Sequence, residues 1–222
     1  ANFLVDGDLS HEIDAREIEA DWKTGYIPLR RTTPYEKPIS DRKEGVVARL
    51  DSNLVQWAYN LTKDIELPDN EEIKKMREQY VGYAAANMKP YVLIGDQLAA
   101  ATYWHGKLLT EWANDWVDYW SEGRGNFVTS AMEEMGVYHA LARLDQAGKV
   151  DVKRLLVLRT ASNFSMQWPG ISAYQSLAGE KLTGKGYSAY IPSLEAAYKV
   201  GSPVVMELVN DWDKYQQKMP AN

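Results

Sequence analysis

Leu155-Leu156-Val157-Leu158-Arg159-Thr160, followed by the polar Ala161-Ser162-Asn163, is the run on which the fold reading turns. Six residues dominated by Leu and Val, bounded by polar groups, read as a buried strand. Two further runs are of the same kind. Phe3-Leu4-Val5 opens the chain, and Tyr91-Val92-Leu93-Ile94 is ended by Gly95-Asp96. Helical segments separate them. Asp51 or Ser52 caps a helix through Leu54, Trp57, Ala58 and Leu61, at the i, i+3, i+4, i+7 spacing of one helix face. A charged surface helix follows over 70–80. Another runs from Gly106 to Ser121, with Trp112, Trp116 and Trp120 four apart, read as a core stripe. The next starts at Ser130, shows Val137, Leu141 and Leu144 on one stripe, and stops at Gly148. Helices over 189–200 and 203–217 close the chain.

Strands separated by helices predict an α/β layered fold with a mainly parallel sheet. Three strands fall short of the about 4–6 of an ordinary sheet. The chain therefore reads as one unit over 1–222, taken from the later part of a larger α/β domain. The stretch from Trp22 to Ser40, with Gly25, Pro28, Pro34 and Pro38, reads as a long irregular excursion.

Composition narrows the function. The 222 residues are 45% hydrophobic and 25% charged, enough apolar material for a sizeable core. No apolar run approaches the roughly 18 residues of a membrane span. The net charge of −6 argues against a nucleic-acid partner, because phosphate neutralisation needs a basic surface. Cysteine is absent, which removes disulfides, thiolate metal sites and thiol nucleophiles. No P-loop, Gly-x-Gly-x-x-Gly or Gly-x-Ser-x-Gly motif occurs.

Four residues are candidates for ligand contact. Met132 and Glu133 sit at a predicted helix start; a methionine suits a sugar face, and a carboxylate accepts from neighbouring hydroxyls. Ser130-x-x-Glu133 also matches a capping box, in which Glu133 turns back to the N-cap amide. Asn163 follows a strand, where ligands of open α/β sheets bind. Its amide can donate and accept at once, as a purine edge requires, although an Asx-turn reads equally well. Tyr103, in Tyr103-Trp104-His105-Gly106, offers a ring for stacking, and His105 a group that titrates near neutrality. Asp6, Asp8, His11, Glu12, Asp14 and Glu17 form an acidic cluster that fits neither an EF-hand nor a zinc spacing, so it reads as a solvated loop. No metal site and no cofactor are expected.

Several of these segments together resemble the purine nucleoside permease family: Asp6 to Ile18, Thr102-Tyr-Trp-His-Gly106, Ala131-Met-Glu133, Val157 to Phe164, Trp168-Pro-Gly170 and Gly201-Ser-Pro-Val-Val205. That family is similar to the nucleoside phosphorylases and nucleosidases. The resemblance implies a three-layer αβα domain, with Met132 and Glu133 on the ribose, Asn163 on the base and Tyr103 packed against it. Related phosphorylases that carry Asp at the position of Asn163 protonate the purine; an amide cannot serve as that acid. The phosphorylase fold also has earlier strands, a glycine turn and phosphate-binding arginines with no equivalent here. The chain is therefore expected to be the C-terminal two-thirds of the domain, with the N-terminal segment removed, on a separate chain or not included.

Three functions follow as expectations. The first is purine nucleoside binding in support of uptake, without a membrane span of its own. The second is an enzyme, phosphorylase or hydrolase, that cleaves the N-glycosidic bond. The third is a non-catalytic structural or interaction protein with a degenerate site. The resemblance implies a periplasmic or extracellular location and a purine nucleoside ligand, and it leaves a homo-oligomer open.

Overall fold

The computed structural model describes residues 3–5, 36–37, 46–99, 101–182 and 189–221. The acidic cluster over 6–17 and nearly all of the excursion over 22–40 lie outside them. In chain order the elements are β1 (Phe3–Val5), α1 (Ser52–Thr62), α2 (Glu71–Arg77), β2 (Asp96–Ala99), β3 (Tyr103–His105), α3 (Lys107–Ser121), β4 (Phe127–Ala131), α4 (Glu134–Gln146), α5 (Ala173–Leu182), α6 (Tyr190–Asn210) and α7 (Trp212–Tyr215). Among the described residues all strand pairing is parallel. β1 pairs with β3 and β2 with β4, as two separate two-stranded sheets. A mixed α/β chain with parallel pairing is what the alternation of runs predicts.

Several expectations need correction. The strand expected over 91–94 lies at 96–99 instead, so Gly95-Asp96 opens the ladder rather than closing it. Its partner sets that position. The Asp96 amide donates to the Asn126 carbonyl at 2.6 Å, and the Asn126 amide donates to Oδ2 of Asp96 at 2.7 Å. Gly95 lies so close to Val128 that a Cβ there would stand 2.3 Å from a valine methyl. The run Leu155–Thr160 makes no ladder among the described residues, and Val157, Leu158 and Arg159 are exposed. A leucine-rich sequence supplies burial energy only where a second surface meets it.

The helix expected from Ser130 begins four residues later, because Phe127–Ala131 is strand β4, which the sequence reading missed. The two closing helices are largely one, α6, running through Gly201, Ser202 and Pro203. Pro203 lacks the amide of a helix interior, which costs about 3 kcal/mol. The buried face of Ala196, Val200 and Val204 continues across it and holds the helix together. Of the tryptophan stripe, only Trp120 is buried; Trp112 and Trp116 are half-exposed and stack at 5.7 Å between ring centres.

Other local signals act as the sequence predicts. Asp51 caps α1, its carboxylate accepting from the amides of Asn53 and Leu54 at 2.9 and 3.0 Å. Asn70, where the helix over 70–80 is expected to begin, turns out to cap α2 through the Ile73 amide at 2.9 Å. Gly148 ends α4 at φ 67, a left-handed turn suited to glycine. The main cluster joins α1 to the chain's end: Leu54, Trp57 and Ala58 pack with Val204 and Tyr215, and Trp57 meets Tyr215 edge-on at 5.7 Å.

Candidate functional site

β3 carries Tyr103, and Gly106 turns the chain from that strand into α3 with φ 137, a conformation that L side chains rarely adopt. The Gly106 amide donates to the Ser165 carbonyl at 2.8 Å, and the Lys107 amide donates to the Gln167 side chain at 3.0 Å. From the other side, the Tyr80 hydroxyl donates to the Met166 carbonyl at 2.8 Å, and its ring lies 4.0 Å from that of Phe164. The segment after Thr160 is thus clamped between β3, α3 and Tyr80. Asn163 is presented by that clamp.

The clamp brings two predicted residues together. Nδ2 of Asn163 donates to the Tyr103 hydroxyl at 3.0 Å, across 60 residues of chain. The same nitrogen donates to the Phe164 carbonyl at 3.0 Å, and Oδ1 accepts from the Ser162 hydroxyl at 3.0 Å. Both amide hydrogens are therefore engaged, and one acceptor lone pair of Oδ1 stays open toward a donor on a ligand.

Met132 and Glu133 lie just beyond the carboxyl end of β4, where a ligand of a parallel sheet is met. Both side chains are exposed, Glu133 at 69%. The capping box does not form. Ser130 belongs to the strand, and Glu133 itself occupies the N-cap position with no side-chain cap bond. Its carboxylate instead faces Arg159, at 3.8 Å. The same guanidinium binds Oε1 of Glu134 at 2.5 Å. Glu134 is only 17% exposed, and its Oε2 is buried without a hydrogen-bond partner. A buried carboxylate oxygen left unmatched is costly, and it is open to a donor from a ligand.

Glu134, Arg159 and Asn163 line one cavity of about 1330 Å³, together with Gln97 and Thr129 of the paired strands. Gln97 also has a buried oxygen with no partner. Ordinary small-ligand sites measure roughly 300–1,000 Å³, so a nucleoside would fill only part of this space. The rest of the lining is mixed: it includes the apolar Tyr91–Ile94 and Val157–Leu158 and the basic Arg49, Arg77, Lys89 and Arg124. Tyr103, Met132 and Glu133 do not line the cavity; Tyr103 is tied to it through Asn163, and Glu133 through Arg159. Arg159 and Glu134 escaped the sequence reading. A basic residue inside an apolar run, and a second glutamate beside the first, were the available signals.

His105 is fully buried, its Nε2 3.2 Å from the Ser176 hydroxyl. Burial lowers its pKa below the usual 6.5, and the Phe164 backbone only partly opposes that, leaving Nδ1 without a well-aligned partner. A neutral, enclosed imidazole is a packing group here. Among the described residues, no group of three or more His, Asp or Glu is placed to hold a metal ion, and no helix is long and apolar enough to cross a membrane.

These features describe an α/β protein in which one parallel strand pair, β2 with β4, lines a large cavity together with Glu134, Arg159 and Asn163. The sequence profile of the purine nucleoside permease family matches residues 1–220, and the chain belongs to that family. A probable purine nucleoside permease of Schizosaccharomyces pombe is 26% identical over 220 residues, covering 96% of this chain and 61% of the relative. A purine nucleoside permease of Candida albicans is 26% identical over 218 residues, covering 96% and 52%. The chain thus spans little more than half the length of the curated relatives it matches. No solved structure matches it.

Proposed function

We propose that this chain binds a purine nucleoside as part of a protein that serves nucleoside uptake, the crossing of the membrane being carried out elsewhere. The family and the names of its relatives support a transport-related role. The observation that carries the binding role is the Asn163–Tyr103 hydrogen bond beside a cavity in which Glu134 keeps an unmatched acceptor. In this reading Asn163 meets the base edge and Tyr103 orders it. Met132 and Glu133 face the ribose, and Arg159 holds the two glutamates together. The reading includes a three-layer αβα, phosphorylase-like domain in which further strands complete the two short sheets. It also includes a periplasmic or extracellular location, where an incoming nucleoside is first met.

An amide at position 163 cannot protonate the base, which weighs against phosphorolysis of 6-aminopurine nucleosides. Calorimetry with inosine, guanosine and adenosine tests binding, with chromatography of the same samples for free base. Micromolar binding without release of base, weakened in Glu133→Ala while circular dichroism stays unchanged, is the expected result. No heat with any of the three on folded protein overturns the reading. Free base formed with or without phosphate replaces it with an enzyme.

A further inference from the structure

Helix α6 is apolar on two opposite faces. At 100° per residue, Ala196, Val200 and Val204, with Pro192 and Ser193, form the face that is buried. On the opposite side lie Ile191, Leu194, Tyr198, Val205 and Val209, each more than half exposed, Tyr198 at 76%. Trp212, the first residue of α7, is exposed at the same end. Ser202, half-buried, lies at the midpoint of this stripe, and the exposed Glu195 flanks it on one edge. Single exposed apolar residues are ordinary, but a contiguous stripe along a helix about 31 Å long is not.

The spacing of the stripe is symmetric. From Ile191 to Trp212 the gaps run three, four, seven, four and three residues. An antiparallel copy of the same helix, crossing near Ser202, sets Tyr198 against Val205, Leu194 against Val209 and Ile191 against Trp212. Each contact then occurs twice, as a twofold axis requires. A small residue at the crossing lets the two backbones approach. A stable dimer buries about 800 Å² on each partner, and six large side chains this exposed supply surface on that scale.

We infer that α6 is the interface of a twofold dimer of this chain, two copies packing antiparallel through Ile191, Leu194, Tyr198, Val205 and Val209. The contact is apolar while each copy carries a net charge of −6. Added salt therefore screens the mutual repulsion and tightens the dimer.

Sedimentation equilibrium of the full chain gives the first test, with a mass twice 25.2 kDa expected at micromolar concentration and a dissociation constant that falls as salt rises. Tyr198→Glu and Val205→Glu should each weaken the dimer at least 100-fold with unchanged circular dichroism. Val81→Glu, at an exposed site elsewhere, should leave it intact. Because the chain has no cysteine, introduced cysteines report geometry without background. Ser202→Cys should cross-link to its copy. Leu194→Cys alone should not, since the two sites stand about 22 Å apart along an antiparallel pair. Leu194→Cys combined with Val209→Cys should. A monomer at every concentration, cross-linking by Leu194→Cys alone, or a cysteine at 198 shielded from thiol reagents in a monomer, as when another stretch of polypeptide covers the stripe, overturns the inference.

Discussion

Asn163 is held on three sides before any ligand arrives: by Tyr103, by the Phe164 carbonyl and by the Ser162 hydroxyl. A side chain fixed this way loses little freedom on binding, so its contact with a base is retained in the affinity. Removing the hydroxyl in Tyr103→Phe leaves a half-buried amide hydrogen unmatched. It should cost about 1 kcal/mol in urea unfolding and weaken nucleoside binding several-fold. The double variant with Asn163→Ala should show a coupling near 1 kcal/mol in a thermodynamic cycle. Glu134 offers a second test. Glu134→Gln removes the charge that Arg159 faces and should weaken binding at least as much as Glu133→Gln, because only Glu134 is enclosed.

His105 makes the pH dependence specific. Its folded pKa lies below the unfolded value, so above about pH 6.5 both states are neutral and the native state keeps its full stability. As pH falls below that value, the unfolded chain takes up a proton that the folded chain refuses. Stability is then lost down to the folded pKa. Urea midpoints measured at pH 7.5 and 5.5 should show this loss, and His105→Gln should reduce it.

Among the elements, caps set by one or two local residues were legible and the sheet was not. Asp51, Asn70 and Gly148 act within four residues of their own positions, so the sequence carries each whole signal. β4 was hidden because Ser130 and Glu133 have the spacing of a capping box while belonging to a strand and to the turn after it. The distinction has a measurable consequence. Asp51→Ala should lower stability by about 1 kcal/mol. Glu133→Ala, which breaks no cap bond, should lower it by less than about 0.5 kcal/mol. Equal losses in thermal unfolding would restore the capping box.

Leu155–Thr160 failed for a different reason. Its composition is that of a buried strand, but strand formation depends on a partner that lies elsewhere in a chain, and none of the described residues pairs with it. The candidate site divides along the same line. Met132, Glu133, Asn163 and Tyr103 could be named from motifs. The contact between Asn163 and Tyr103, and the roles of Arg159 and Glu134, exist only once distant segments meet.

At the scale of the molecule, the cavity is larger than one nucleoside needs, and its apolar walls are the runs that the sequence marks for burial. Asn163, Arg159, Glu134 and Gln97 are polar members of its lining. In the proposed function these groups recognise the nucleoside, and transfer across the membrane falls to other machinery. A crystal structure of the chain with inosine shows directly where the ligand sits. The base is expected against Asn163 and Tyr103, with the ribose hydroxyls within hydrogen-bonding reach of the glutamates beyond β4. Inosine bound away from Asn163, or a cavity left empty at saturating inosine, would contradict this placement.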